Sequence, residues 1–300
     1  MKESIDSILQ IFSSNHFLFH YNKKGVLHLR GKESFKFLNG ISSNEIKYTE
    51  ANFSTNTLIL TIKGRILYDI EIYANNGDEL YILHDTDQRI DLLEYLKKYR
   101  MSYKIDIIDL NDSFKVFKGG DIKNDFEILE FKSAQILEEN FKVFLEPLKN
   151  NNMKNFESTD QNSYDLWRLL MGIPTRGSEL TSKTIPIEAN MWSSISFTKG
   201  CYIGQETIAR IHYRGKVKRN LACLMIPQLI TKNSQVFNYE NKLIGELCNY
   251  FYFKEDKKTY ALAYIDTEEN FKGNKITVEE IASEITNNSY KNQNERLLKT

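Results

Sequence analysis

Apolar and polar positions in the first hundred residues switch repeatedly between a period of two and a period near 3.6. Residues 25–29 predict a short strand. Residues 34–39 place Phe35 and Leu38 on one face of a short helix, with Gly40 as its stop. Residues 57–62 and 66–73 flank Lys63-Gly64-Arg65 as the arms of a hairpin. Residues 79–84 predict another strand. Asp85 or Thr86 is then placed to cap a helix to Arg100 with Ile90, Leu93 and Leu96 as its apolar stripe. Residues 102–108 return to strand. Residues 111–160 are less regular, with strand fragments at 114–117 and 141–144 and an Asn-rich exposed loop at 150–155. A helix over 164–171 ends at Gly172, with Pro174 beyond it. After Arg219 come four short strand patterns, 221–226, 242–249, 260–265 and 275–278, separated by polar turns. That spacing predicts a small antiparallel barrel. The tail from Ile285 is rich in Asn and Lys and is expected to be frayed. Strands outnumber helices and hairpins recur, so the fold class expected is α+β.

Composition narrows the picture only slightly. At 41% apolar and 27% charged, the 300 residues are those of an ordinary globular protein with ample core. A formal charge of +0 supplies no bulk field for nucleic acid or an anionic membrane. Cys201, Cys223 and Cys248 form no paired metal knuckle and no disulfide framework, which favours a reducing compartment. The first nineteen residues carry Glu3 and Asp6 without a basic stretch and apolar run, which argues against a signal peptide. No window approaches eighteen apolar residues, so no membrane span is expected and a cytoplasmic location is.

One segment has no packing periodicity. Lys199-Gly200-Cys201-Tyr202-Ile203-Gly204-Gln205-Glu206 runs on to Ala209-Arg210. Ser196-Phe197-Thr198 is expected to end a strand and residues 205–212 to begin a helix, so the glycine-flanked turn would present Cys201 near a helix N-terminus. The helix dipole and the Lys199 ammonium would both favour a thiolate there, suited to a nucleophile, redox sensor or metal ligand. The alternative is a small residue packed under the loop. Arg210 lies one turn beyond Glu206 and is placed to pair with it or to reach into the same cleft. Arg214, Lys216, Lys218 and Arg219 follow, either as a solvated loop or as a basic contact for phosphate or RNA.

This segment resembles the signature of the YgfZ family of folate-binding proteins, relatives of the glycine-cleavage T-protein (aminomethyltransferase). Other stretches carry the likeness in the same order. Leu60-Thr61-Ile62-Lys63-Gly64-Arg65-Ile66-Leu67-Tyr68-Asp69 resembles the family's hairpin, and Arg168, Gly172 and Pro174 its Arg-x-x-x-Gly-x-Pro stretch. Pro186-Ile187-Glu188 resembles its Pro-x-Glu, and Phe37-Leu38-Asn39-Gly40 its N-terminal helix, with Asn39 where the family usually has Gln. Similarity runs from about residue 25 to 220.

The resemblance implies three subdomains in a ring around a central channel that holds tetrahydrofolate, with a C-terminal antiparallel barrel. The corresponding division is 1–214 for a core of two intertwined α+β subdomains, parting near 110, and 215–300 for the barrel and its tail. Glu188 is the candidate partner for the pterin edge, or else a cap on a neighbouring turn. Arg210 or Arg176 is the candidate cation for the glutamyl tail, and Tyr202 and Tyr68 are candidates for ring stacking. Lys199 and Gln205 complete the expected cofactor-binding set. In true aminomethyltransferases the hairpin carries adjacent aspartates; here Tyr68 takes the first position and only Asp69 remains. Arg168-Leu169-Leu170-Met171-Gly172 also lacks the carboxylate of the transferase motif. The resemblance therefore implies an accessory protein for assembly or repair of iron–sulfur clusters, and through such enzymes for tRNA modification. Its functional thiol would be Cys201 and its partners iron–sulfur enzymes or cluster carriers. No stably bound metal is expected, since one cysteine cannot hold a cluster alone. Two alternatives stand: a folate-dependent aminomethyltransferase or demethylase using Asp69 as acid/base, and a tRNA-binding factor using residues 210–219.

Overall fold

The computed structural model describes residues 4–13, 17–46, 54–74, 79–101, 103–120, 128–134, 141–155, 159–231 and 234–286. The chain enters through α1 (Ile5–Ser13) and β1 (Leu18–His20), then β2 (Lys24–Arg30), α2 (Ser34–Ile41), β3 (Ser54–Leu60), β4 (Ile66–Ala74) and β5 (Glu79–Asp85). It continues through α3 (Arg89–Arg100), β6 (Asp106–Asp109), β7 (Phe114–Gly119), β8 (Leu129–Lys132), β9 (Lys142–Pro147) and α4 (Gln161–Met171). The last third holds α5 (Gln205–Arg214), β10 (Arg219–Ile226), β11 (Gln235–Asn238), β12 (Leu243–Phe253), β13 (Lys258–Asp266), β14 (Lys275–Val278) and β15 (Ile281–Ile285).

These strands build an α+β fold in three bodies. One is a five-stranded antiparallel sheet in the order β3-β4-β5-β2-β6; a second is a four-stranded sheet, β1-β7-β9-β8. The third is a closed antiparallel barrel, β10-β13-β12-β11-β14-β15. The first two bodies are threaded through each other, because β1 pairs with β7 while β2 to β6 form the other sheet.

The five-stranded sheet is covered on both faces, and the strands β2 to β5 are accordingly buried along almost their whole length, polar residues included. Along β4, Tyr68, Ile70 and Ile72 face the helical side, where they pack with Phe37, Leu92 and Leu96. Alternate residues Asp69, Glu71 and Tyr73 point the other way, as the two-residue period of a strand requires. On that side lies the largest core, into which Phe12 stacks on Trp167 at 4.6 Å between ring centroids. Helix α4 is fixed at both ends. Asp160 accepts from the N–H groups of Asn162 and Ser163 at 2.8 and 3.1 Å, and Gly172 closes the helix in the left-handed region (φ 80°).

Several local expectations are corrected. Helix α2 runs through Gly40 to Ile41, since a glycine in an otherwise apolar helical run is tolerated when the face it continues is buried. Helix α3 starts only at Arg89, after a 3₁₀ turn over Thr86–Gln88. Its buried stripe is thus Leu92 and Leu96, and Ile90 is 69% exposed. Strand β6 begins at Asp106 rather than 102. Asn152–Asn155 is a 3₁₀ turn that buries Met153 and donates the Met153 N–H to Glu146, so it is not an open loop. Ser196-Phe197-Thr198 is not strand: its backbone docks by Ser196 N–H onto Ser43 O, and Ser196 Oγ accepts from the N–H of Lys199. Two barrel strands, β11 and β15, were not anticipated. The tail beyond 286 lies outside the described residues.

Candidate functional site

The three bodies meet around a cleft of about 200 Å³. Tyr21 follows β1 and Asp85 ends β5, Tyr164, Asp165 and Arg168 come from α4, Arg176 from the following loop, and Tyr250 and Phe251 from barrel strand β12. Arg168 is held in place from behind: its Nη1 donates to Glu179 Oε1 at 3.1 Å and to Ile173 O at 3.3 Å. Glu179, fully buried, also accepts from Thr175 N and Oγ1 at 3.0 Å each. Arg176 donates to Leu67 O at 3.3 Å and faces Asp87 at 3.9 Å.

Behind the cleft lies a buried set of charges. Lys24 pairs with Asp85 at 3.0 Å and Lys118 with Glu71 at 3.1 Å, while the Tyr73 hydroxyl donates to Glu71 at 2.5 Å. Lys118 also lies 4.7 Å from the centroid of the Tyr21 ring. Burial raises the Glu71 carboxyl, but Lys118 and Lys24 outweigh it, so Glu71 sits below its ordinary value. Asp69 fares differently. Burial pushes it up, Lys24 only partly compensates, and Asp85 and Glu71 repel its charge, leaving it at about 6. Its neighbour Asn56, with the amide nitrogen turned toward β4, donates to Ile70 O at 3.1 Å and Asp69 Oδ1 at 3.3 Å.

A carboxyl held above its unfolded value favours folding at low pH, and that advantage is lost as pH rises through about 6. Asp69→Asn, which mimics the neutral acid, should therefore stabilise the protein by about 1–3 kcal/mol at about pH 7.5. The gain should vanish near pH 4, where Asp69 is already protonated. Calorimetric melting at both pH values checks this; an equal gain at each would rule out ionisation as the cause.

The segment carrying Cys201 lies elsewhere, and Cys201 does not line the cleft. The thiol is exposed on the loop before α5. The position that caps this helix is Gly204, three residues on, in the left-handed region (φ 85°). A Cβ there would stand 2.4 Å from Thr61 O, and one at Gly64 3.0 Å from Thr207 Cβ. Two glycines thus let the tip of the β3–β4 hairpin seat directly on the start of α5. The Lys199 ammonium is engaged by backbone carbonyls. Its Nζ donates to the carbonyls of Asn39, Ser42 and Asn44 at 2.7, 2.7 and 2.9 Å, tying the Cys201 loop to the C-terminal end of α2. Burial draws the Lys199 ammonium down to about 8, so it still carries its charge at neutral pH. Gln205 turns back to accept from the N–H of Tyr202 at 2.9 Å, and the half-buried Tyr202 ring lies 5.5 Å from Lys199 Nζ. Burial raises the Tyr202 phenol to about 12.

Other candidates are dispersed. Glu188 is paired with Arg219 at 3.2 Å, at the junction with the barrel. Tyr68 packs edge-on against Tyr95, 5.5 Å between centroids, on the face of β4 opposite Asp69. Arg210 and Glu206 are both exposed and form no ion pair with each other. Cys223 and Cys248 pack with Leu169 and Tyr264 on the outside of the barrel, and burial raises both thiols to about 12. Asp69 and Arg176 are thus the two anticipated residues near the cleft. Tyr21, Lys24, Asp85, Arg168 and Lys118 were not anticipated as site residues. The available signal was Lys118 and Glu71, charges set inside otherwise apolar strands, and the arginine of the Arg-x-x-x-Gly stretch.

No family model matches the chain. It is 28% identical over 244 residues to a protein of Dictyostelium discoideum described as an iron-sulfur cluster assembly factor IBA57 homolog, mitochondrial, covering 66% of this chain and 60% of that one. It is 20% identical over 298 residues to an aminomethyltransferase of Thermoanaerobacter, covering 87% of this chain and 81% of the relative. The chain spans between half and two thirds of the length of the assembly-factor relatives it matches. Its fold superimposes on the crystal structure of the glycine cleavage system aminomethyltransferase T of Bartonella henselae with a TM-score of 0.78, at 16% identity, over 94% of this chain and 89% of that one. Among the described residues, no helix is long and apolar enough to cross a membrane.

Proposed function

We propose that this chain, whose motifs resemble those of the YgfZ family of T-protein relatives, acts as a folate-binding accessory factor in iron–sulfur cluster assembly or repair, with Cys201 as its functional thiol. The observation that carries this reading is the construction of the Cys201 loop. An exposed cysteine is held by Lys199 on three carbonyls and by the glycine-to-glycine contact with the hairpin, in a chain whose relatives include proteins named as iron–sulfur assembly factors. A residue serving only as core filler needs no such presentation. A single thiol supplies one of the usual four cluster ligands, so any cluster is cargo shared with a client or carrier. Loss of tRNA modification would then follow from loss of the client enzyme rather than from contact with tRNA.

Tetrahydrofolate fits the cleft in part. The cavity is smaller than the 300–1,000 Å³ or so of typical small-molecule sites, and accommodates the pterin head rather than a whole folate. Tyr21, Tyr164 and Tyr250 supply aromatic walls, Asp85 and Asp165 acceptors for the pterin N–H groups, and Arg168 and Arg176 cations for the anionic tail. When bound, folate would supply a one-carbon or redox centre. The chain's own contribution is to orient that ring and to hold Asp69, its carboxyl raised to about 6, one layer behind the wall. Asp69 is also the observation that favours a transferase or demethylase as the second reading, since a buried acid of that strength can exchange a proton with an amine at neutral pH. An exposed free thiol suits a reducing compartment, the cytoplasm or the mitochondrial matrix alike.

The test is complementation. In cells lacking this protein, Cys201→Ser should fail to restore the activity of a four-iron enzyme while accumulating to the wild-type level, and Asp69→Asn should retain that activity. Restoration by Cys201→Ser would sink the proposal. Failure by Asp69→Asn alone, with methylene-tetrahydrofolate formed from an amine donor by the wild type, would favour the transferase.

A further inference from the structure

The tip of the β3–β4 hairpin and helix α5 carry a concentration of positive charge that the chain's zero net charge conceals. Gly64 rests against Thr207, so the neighbouring Lys63 and Arg65 stand at the start of α5. Arg210 and Arg214 follow Thr207 at helical spacings of three and seven and extend the same stripe down the helix. The segment leaving α5 adds Lys216 and Lys218. All six cations are exposed, and none forms an ion pair among the described residues. At the apex of the hairpin Ile62 is 85% exposed, and Cys201 is exposed on the loop that the hairpin contacts.

We infer that this face is the docking surface for an acidic patch on a protein partner, which the charges steer so that its cluster site meets Cys201. The inference rests on the proposed role of Cys201 and names the chemistry of the partner that role requires. Charge complementarity sets orientation and encounter rate. The exposed Ile62 gives the contact an apolar point that a nucleic-acid backbone cannot use. A thiol on a loop that abuts a basic stripe suits delivery to a protein-held metal centre, where thiolate ligands are exchanged.

The experiment uses the full chain with poly-L-glutamate as the acidic-surface probe and poly-uridine as the nucleic-acid probe, read by fluorescence anisotropy at low and at physiological salt. The variants are Lys63→Glu/Arg65→Glu and Arg210→Glu/Arg214→Glu. Lys97→Glu/Lys98→Glu, on the exposed end of α3, is the control. Wild type should bind poly-glutamate in a salt-sensitive manner; each pair of reversals should weaken it by roughly tenfold or more, and the control by less than about twofold. Thiol labelling of Cys201 and melting temperature, unchanged in all variants, exclude misfolding. Equal binding by the reversals and the control, or tighter binding of poly-uridine than of poly-glutamate, would overturn the inference. Cys201→Ser keeps the charges and should bind poly-glutamate as wild type does. If it also restores the four-iron enzyme, the cluster role fails while docking stands. If the reversals bind normally and Cys201→Ser stays inactive, docking alone fails.

Discussion

Lys118→Met should destabilise the protein by ~3–5 kcal/mol, the usual cost of removing one partner from a buried ion pair. Lys118 and Glu71 are both almost fully buried and 3.1 Å apart. Methionine fills much the same volume, so the loss comes from charge rather than packing. Glu71 would be left in the interior beside Asp69 and Asp85, keeping Lys24 and the Tyr73 hydroxyl. Its carboxyl should rise and take up a proton on folding. The destabilisation should therefore shrink as pH falls toward the range where Glu71 is neutral. Glu71→Gln together with Lys118→Met should recover much of the loss, because no unpaired charge is then buried. Denaturant melts of the single and double variants at two pH values test the account. A double variant as unstable as the single one would show that Lys118 acts through packing.

Glu179→Ala should have a comparable effect on stability, about 3 kcal/mol, and a second effect on the cleft. One carboxylate oxygen anchors Arg168 and the other anchors Thr175, so a single side chain fixes both α4 and the loop bearing Arg176. Without it, Arg168 keeps Ile173 O at 3.3 Å and Asp165 at 3.6 Å, but loses its fully buried counter-charge and the contact that fixes its guanidinium from behind. The backbone carbonyl of Glu179 accepts from the Tyr264 hydroxyl at 3.0 Å, a link to the barrel that alanine retains. Folate titration by calorimetry should show binding weakened in proportion to the lost orientation of Arg168. Glu179→Gln, which keeps one acceptor, should fall between wild type and alanine. Unchanged folate affinity in a folded Glu179→Ala protein would place the ligand elsewhere.

The sequence pattern is informative where an element is made by its own residues. The hairpin around Lys63-Gly64-Arg65, the α4 stop at Gly172 and four of the barrel strands all follow from period and punctuation. It misleads where a partner decides. Gln235–Asn238 and Ile281–Ile285 are short and partly polar, and are strands because β12, β14 and β10 are there to pair with them. The motif around Cys201 was legible as a motif, but the function of its lysine was not. The three carbonyls that hold Lys199 lie some 155 residues or more earlier in the chain, on the end of another helix. Glu188 is read from the sequence as a partner for the pterin edge or a cap on a turn; its pairing with Arg219, 31 residues on, is visible only in the fold. The cleft itself is assembled from three bodies, so no local window could have outlined it.

The threading of β1 into the sheet of β7 has a consequence for how the protein is born. Leu18–His20 cannot find its partners until Phe117–Gly119 has left the ribosome, roughly a hundred residues later. At about 5–20 residues per second, that leaves an apolar amino-terminal segment waiting for several seconds. During this interval Phe12, Phe17 and Phe19, all destined for the core, have no surface to join. The N-terminal portion of this chain thus waits longest for its core during synthesis, whereas the barrel can close as soon as its last strand emerges.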